Sequence, residues 1–179
     1  IFMKRKCLLF AILCFLTLGI KAQDVFSKGA IAVNATVGIG SYSGYSIGIP
    51  PLAISADVGV VDNLIGENGS IGVGGYIGFA TNSYSYYSNA TLSRMCFGVR
   101  GTFHYEFDAK FDTYAGLMLG VYTYRWNDDY INSYIHNSSS MAFSSFIGGR
   151  YYFSESMAIN AEVGYGFTYI SAGVTFKIK

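Results

Sequence analysis

The chain has few charged residues, few prolines and few cysteines. Charged side chains make up 13% of the 179 residues, proline occurs twice and cysteine three times. Soluble domains carry about 25% charged residues, and disordered chains are charged and poor in aromatics, whereas 17% of this chain is aromatic. The composition therefore excludes a disordered chain, a collagen-like chain and a disulfide scaffold. It also leaves too little charge for an ordinary water-facing surface.

Near the start of the chain, a short basic segment is followed by an apolar one. Three basic residues precede a run of apolar side chains from Cys7 to Ile20. This order is typical of a secretory signal peptide, and we predict that residues 1–22 are removed by cleavage after Ala22. The run is too short for a membrane-spanning helix, which needs about 20 apolar residues. The mature protein is then one domain, residues 23–179.

Removal of this segment changes the charge and the cysteine content. Eight of the 12 basic residues remain against all 11 acidic ones, so the net charge becomes −3. No basic surface is left for nucleic acid. Cys96 remains as the single cysteine of the mature chain, and we expect it to be a small apolar filler without a disulfide partner.

The mature chain shows apolar side chains at every second position, which is the pattern of strands with two unlike faces. It contains no helical period and no run of 18 apolar residues. Eight alternating segments are present: Ile31–Gly40, Ile54–Val60, Ile71–Phe79, Met95–Phe107, Tyr114–Tyr122, Phe143–Phe153, Met157–Tyr165 and Ile170–Ile178. Most of them are 9–11 residues long, which suits a tilted strand crossing a bilayer.

The charged residues of these segments fall on one face only. Six of them are expected to point into an enclosed interior together: Asp57, Arg100, His104, Glu106, Arg150 and Glu162. A soluble lipocalin-like barrel would have the opposite arrangement, with an apolar interior and a charged exterior. Because strands in lipid must pair all their backbone groups, the pattern predicts an all-β, eight-stranded, antiparallel, up-and-down transmembrane β-barrel that follows a cleaved signal peptide.

The connections between the segments alternate in length. Short turns are predicted at residues 108–110 and 154–156, with a somewhat longer one at 61–70. Long links rich in Ser, Tyr and Asn are predicted at 41–52, 81–93 and 126–140, and the link at 166–169 is short. In outer-membrane barrels the short turns face the periplasm and the long loops face outward. This places the protein in the bacterial outer membrane.

Four motifs resemble the small outer-membrane β-barrel proteins widespread in Bacteroidota, of the outer membrane protein beta-barrel domain type. They are Tyr-Ala-Gly-Leu-Met-Leu-Gly (114–120), Gly-Arg-Tyr-Tyr-Phe (149–153), Ala-Glu-Val-Gly-Tyr-Gly (161–166) and Gly-Val-Thr-Phe-Lys-Ile (173–178). The resemblance spans the mature chain and implies the barrel fold without catalytic residues. Such barrels often end on an aromatic residue, whereas here Phe176 is followed by Lys177, Ile178 and Lys179.

The interior residues suggest a structural role. An eight-stranded barrel is just wide enough to be filled by its own side chains, so a general porin is not expected. Arg150 and Glu162 lie on adjacent segments and are predicted to form an ion pair, which Arg100 extends through Asp57 or Glu106. Buried charges must be paired, and ion-pair networks of this kind are structural more often than functional.

Catalysis and cofactor binding have little support. His104 and Glu106 could belong to a hydrolytic triad, but no nucleophile motif accompanies them, so no catalytic residue, metal or other cofactor is predicted. The long links are rich in aromatics, which could form a membrane-boundary girdle or a contact surface. The candidate contacts are Tyr45, Tyr86, Trp126 and Tyr130.

The leading hypothesis is a non-enzymatic outer-membrane barrel that acts in envelope structure or surface binding. The alternatives are a narrow conduit for small or hydrophobic compounds and a lipid-modifying outer-membrane enzyme. The expected partners are outer-membrane lipid and lipopolysaccharide, the barrel-insertion machinery during biogenesis and an unknown surface ligand, with no nucleic acid.

Overall fold

The computed structural model describes residues 25–40, 46–65, 68–84, 90–127 and 137–178, without the side chains at 46, 47, 84, 90 and 127. These residues form eight strands: β1 (Ile31–Ile39), β2 (Ser46–Leu64), β3 (Gly69–Tyr84), β4 (Ala90–Asp108), β5 (Phe111–Asn127), β6 (Asn137–Tyr152), β7 (Met157–Tyr165) and β8 (Ile170–Lys177). Each strand pairs with the next, and β8 pairs antiparallel with β1 to close the barrel. The predicted fold class is confirmed. The predicted signal peptide, residues 1–22, lies outside the described residues.

The two faces of the strands are those that the alternation predicts. Apolar side chains cover the outer wall, and Val99 and Leu119, for example, are 69% and 56% exposed. Asp57, Arg100, His104 and other polar residues are buried inside the wall. An apolar outer wall of this extent is the surface that lipid requires. None of the described residues forms a helix that is long and apolar enough to cross a membrane.

The strands differ in length, and this corrects the expectation of uniform segments of 9–11 residues. β1, β7 and β8 have 9, 9 and 8 residues, but β2 to β6 have 16–19. The extra length lies mostly in the links at 41–52, 81–93 and 126–140, which continue the strand ladders as far as Tyr84↔Ala90 and Arg125↔Asn137. The alternating residues of these links are mostly polar and form no large apolar face, so the sequence pattern did not reveal the extensions.

The long strands form a sheet that projects beyond the short ones at the end of the barrel opposite the turns 108–110 and 154–156, and we name this end the outer end. The last pair of β6 with β7 is Ser145↔Tyr165, and within the described chain residues 137–144 have no partner on that side. The last pair of β1 with β2 is Val37↔Leu52, so residues 46–51 form the other edge. Both prolines of the chain, Pro50 and Pro51, lie in this edge strand at a bulge, because the register with β3 shifts between Ile49↔Thr81 and Leu52↔Phe79. Edge strands and bulges are the places in a sheet where proline is found.

Candidate functional site

The barrel interior contains a network of ion pairs centred on Arg150. Its Nη2 pairs with Asp57 Oδ2, and its Nη1 lies 2.9 Å from Asp112 Oδ2. All three side chains are fully buried. A guanidinium ion placed between two carboxylates offsets the cost of removing each charge from water. β2, β5 and β6, which carry these residues, are therefore tied together across the interior.

Arg100 forms the second part of the network. Its Nη2 donates to Glu162 Oε1 at 2.8 Å, and the Tyr114 hydroxyl donates to the same oxygen at 2.9 Å. Its Nε lies 3.0 Å from Asp57 Oδ1, which is ion-pair distance, although the N–H does not point well enough for a hydrogen bond. Asp57 is thus shared by Arg100 and Arg150. The guanidinium carbon of Arg100 also lies 4.2 Å from the Phe146 ring centre.

Uncharged polar side chains extend the network to the strands that close the barrel. Asn34 Oδ1 accepts from Arg150 Nε at 3.2 Å and from Thr175 Oγ1 at 2.8 Å. Asn160 donates to Thr175 Oγ1 at 2.8 Å, and Asn34 donates to Ser55 Oγ at 2.9 Å. Seven of the eight strands contribute to the network. β3 instead supplies room for the network through Gly74, where an added Cβ would collide with Asp57 and with the backbone beside it.

The structure corrects one predicted pair and confirms another. Arg150 and Glu162 do not pair: their strands place Arg150 opposite Asn160 and Glu162 opposite Gly148, and the two side chains reach different partners. The pair of Arg100 with Asp57 is confirmed. Glu106, the other predicted partner of Arg100, instead accepts a hydrogen bond from the Phe26 backbone N–H at 2.6 Å.

Sequence reasoning missed Asp112, which is central to the network. The predicted fifth segment began at Tyr114, but Asp112 has the same parity and therefore the same face. Extending the segment by two residues toward the turn would have placed Asp112 inside. Between Phe111 and Ala115 the sequence contains no aliphatic residue, so the alternation that marks a strand was weak there.

His104 lies in a chain of buried hydrogen bonds. Its Nδ1 is 2.8 Å from Asp112 Oδ1, and its Nε2 is 2.8 Å from Thr102 Oγ1. A hydroxyl, an imidazole and a carboxylate in this order have the connectivity of a nucleophilic triad. However, all three side chains are buried and the Phe26 ring stacks on the imidazole at 3.9 Å. A substrate has no access to Thr102 in this conformation.

Residues 25–30 close the end of the barrel where the short turns lie, and we name them the N-terminal plug. Phe26 is 2% exposed, and its carbonyl oxygen accepts from Ser70 Oγ at 2.8 Å. Gly29 N–H donates to the Gly59 carbonyl, and Gly59 N–H donates to the Ala30 carbonyl, both at 2.9 Å. No alternating pattern precedes β1, so the sequence did not predict this plug.

Phe167 closes the barrel from the outer end. It belongs to the short connection 166–169, and its ring is 2% exposed. The ring lies between Tyr76 and Tyr122, with centroids 6.1 and 6.4 Å away. Cys96 is buried in the same apolar cluster, which confirms its expected place as a filler. The barrel interior is therefore blocked above and below the ionic network.

Of the four predicted contact residues, Tyr45, Tyr86, Trp126 and Tyr130, the structure describes Trp126. Trp126 is not in a loop: it lies near the outer end of β5, on the inward face and half-buried. Tyr45, Tyr86 and Tyr130 lie outside the described residues.

A broad depression lies on the outward face of the barrel wall. It forms where small side chains, Gly101, Ala115 and Ser145, stand among larger ones such as Leu117 and Ile147. Its lining is almost entirely apolar, which is suitable for acyl chains and unsuitable for a polar ligand. In the described part of the chain no three His, Cys, Asp or Glu side chains are placed to hold a metal ion.

Comparisons with known proteins relate the chain to others by fold. No family model and no curated protein matches its sequence. The N-terminal β-barrel domain of Pseudomonas aeruginosa OprF is 14% identical, with 84% of this chain and 98% of that one covered and a TM-score of 0.52. Yersinia pestis Ail is 12% identical, with 84% and 95% covered and a TM-score of 0.53. Neisserial surface protein A is 15% identical, with 83% and 96% covered and a TM-score of 0.57.

These structures are small outer-membrane barrels with eight strands. The present chain has the same fold. At 12–15% identity the likeness extends to the fold alone.

Proposed function

We propose that the protein is a non-enzymatic barrel of the bacterial outer membrane that holds a projecting β-sheet at the cell surface. The observation that carries this proposal is the contrast between a blocked interior and an extended outer end. Nine strand residues, tilted about 45°, span roughly 20 Å, whereas 19 span roughly 45 Å. The short strands are thus matched to the hydrocarbon layer, and β2 to β6 continue beyond it.

The open edges of the projecting sheet suit it for contact. Residues 137–144 of β6 present one row of backbone N–H and C=O groups without a strand partner among the described residues. Such edges add a strand from a binding partner when one is available. A surface role is also compatible with the names of two neighbours in fold, the attachment invasion locus protein Ail and Neisserial surface protein A.

The net charge of the chain indicates which class of partner is favoured. One structure of Ail contains sucrose octasulfate, a heparin analogue. The mature form of the present chain has a net charge of −3, which opposes binding of polyanions. We therefore favour a polypeptide partner over a sulfated polysaccharide.

The blocked interior supports this role over the conduit and the enzyme. A conduit needs a path past Phe26, the ion pairs and Phe167, and a hydrolase needs access to Thr102. In this proposal the charged network is structural and holds the wall together.

The remaining partners and the biogenesis of the protein are part of the same proposal. Residues 1–22 direct export and are removed, the insertion machinery assembles the barrel, and the outer wall contacts outer-membrane lipid and lipopolysaccharide. The motifs on β5 to β8 support membership in the Bacteroidota-type family, although Lys177 and the following residues depart from its usual aromatic end.

Single-cysteine labelling in intact bacteria tests the orientation that this function requires. We expect Ser139→Cys, on the exposed outer part of β6, to react with a membrane-impermeant maleimide in intact cells. Glu155→Cys, in the exposed turn before β7, is the matched control and should react only after the outer membrane is permeabilised. Cys96→Ser removes the native thiol in both. Labelling of Glu155→Cys alone in intact cells, or of neither variant before permeabilisation, would refute surface display.

A further inference from the structure

The outer half of the barrel interior differs in chemistry from the ionic half below it. It contains an apolar cluster of Ala80, Cys96, Met118, Ala142 and Phe167, with Tyr76, Tyr122 and Phe146 against it. Arg94 is the cation beside this cluster, and its side chain is buried. An apolar pocket with one well-placed charged group is the usual composition of a small-molecule site.

The chain itself fills this pocket through Phe167. The guanidinium carbon of Arg94 lies 4.7 Å from the centre of the Phe167 ring, and Arg94 Nη2 donates to the Phe167 carbonyl oxygen at 3.3 Å. Gly78 forms the wall under the ring, because a Cβ there would lie 2.6 Å from a ring carbon. The pocket is therefore shaped for a flat ring with an acceptor oxygen near Arg94.

Phe167 lies on a short connection that is hydrogen-bonded at its base. Gly164 N–H donates to the Tyr169 carbonyl at 2.9 Å, and Tyr169 N–H donates to the Ile39 carbonyl at 2.8 Å. These bonds hold the base of the connection while residues 166–168 lie outside any ladder. Gly166 has a φ of 139°, which residues with a Cβ rarely adopt. Because residues 166–168 are in no strand ladder, displacement of the ring does not require a strand pair to break.

A small cavity of about 20 Å³ lies next to the ring on the side of the ionic network. Glu162 and Ser144 are among its lining residues, and Ser144 Oγ, beside Tyr122, is buried without a hydrogen bond of acceptable geometry. A cavity of this size holds about one water molecule. The pocket is thus not filled completely by Phe167, and it has polar groups at its inner end.

We propose that the outer half of the interior is a binding pocket for a small aromatic carboxylate, and that Phe167 is the gate that occupies the pocket when no ligand is bound. In Phe167 two carbons join the ring to the carbonyl carbon, and 3-phenylpropionate presents a phenyl ring and a carboxylate at this same spacing. Its carboxylate takes the place of the carbonyl oxygen on Arg94, where a charge-assisted hydrogen bond is stronger than a neutral one. This site goes beyond the surface role and does not depend on it.

The reactivity of Cys96 in the folded mature barrel tests the proposal. Cys96 pairs with Gly78 on the neighbouring strand, so its thiol adjoins the space that the ring leaves when the gate opens. We expect methyl methanethiosulfonate to modify Cys96 slowly in the folded wild type and 3-phenylpropionate to slow this reaction. 3-Phenylpropylamine, which has the same ring and the opposite charge, should not protect. Arg94→Gln should weaken protection about tenfold, which corresponds to about 1.4 kcal/mol.

Two variants separate the gate from other routes to the thiol. Phe167→Ala should increase the rate of modification at least about tenfold, whereas Phe26→Ala, at the opposite end of the barrel, should leave the rate within about twofold of wild type. The wild-type measurements alone suffice if a variant does not fold. The proposal is overturned if Cys96 reacts only after unfolding in urea, if 3-phenylpropionate gives no protection, or if Phe167→Ala does not accelerate the reaction.

Discussion

Arg150 is the residue on which the interior of the barrel depends most directly. It bonds two buried carboxylates and the Asn34 side chain, and its guanidinium carbon lies 4.5 Å from the Tyr114 ring centre. Removing the guanidinium leaves Asp57 with Arg100 and leaves Asp112 with His104. Each of the two buried carboxylates then loses a counter-charge.

Replacement of Arg150 should therefore be strongly destabilising. We expect Arg150→Met to reduce the free energy of unfolding by about 3–5 kcal/mol, the usual cost of breaking one side of a buried ion pair. Urea unfolding of the barrel refolded in lipid vesicles, followed by tryptophan fluorescence, measures this change. Arg125→Met, at an exposed position of β5, is the control and should change stability by less than about 1 kcal/mol. Equal stabilities for the two variants would contradict a structural network.

The membership of the network was more predictable than its pairing. Alternation placed Asp57, Arg100, Arg150 and Glu162 on the inner face, because the face of a strand residue depends only on its parity. The partner of each charge depends on the register and shear of the closed barrel, which parity does not specify. Arg150 therefore reaches across the interior to Asp57 on β2 instead of pairing with its sequence neighbour on β7.

At the scale of elements, glycines on the inner face make room for the N-terminal plug. Gly72 faces the Phe26 ring, and Gly59 lies so close to the plug that an added Cβ would collide with the Ser27 carbonyl oxygen. Gly101 is different, because a Cβ at this outward position would contact no protein atom. The two kinds of glycine provide a matched pair of substitutions.

Gly59→Ala should displace the plug while leaving the barrel folded. The collision is with backbone, which cannot turn aside as a side chain can, so the hydrogen bond from Gly29 N–H to the Gly59 carbonyl should weaken. We expect amide exchange at Phe26 and Gly29 to become at least about tenfold faster, measured by hydrogen–deuterium exchange in detergent micelles. Gly101→Ala should leave exchange at these amides unchanged. Unaltered exchange in Gly59→Ala would mean that the plug does not depend on this contact.

At the scale of the whole molecule, the apolar outer wall determines the environment in which the protein is stable. On β5 the outward side chains run from Phe111 through Leu117 to Val121 and then become polar at Thr123 and Arg125. From Phe111 to Val121 the strand rises roughly 25 Å at a tilt of about 45°. This is the height of the apolar band in transmembrane barrels.

The loss of folding free energy caused by a charge on this wall should depend on the depth of the charge in the bilayer. Leu117→Arg puts a guanidinium near the middle of the band, where such a change costs about 2–4 kcal/mol, and Thr123→Arg puts it at the boundary, where the cost is about 0–1 kcal/mol. Urea titration in phosphatidylcholine vesicles measures both variants. If the two substitutions cost the same, or if the wild type stays folded and monomeric in water without detergent, the outer wall does not face lipid.

The sequence by itself determined the class of the protein: the alternation of apolar and polar residues, the absence of charge from one face and the number of segments specify a closed barrel with a lipid-facing wall. It also determined which charged side chains face inward. Only the tertiary structure decided which charges meet, how far β2 to β6 extend, and that Phe26 and Phe167 block the two ends. Parity is a local property of a strand, whereas register, shear and the path of a short segment into a cavity depend on residues brought together from the whole chain.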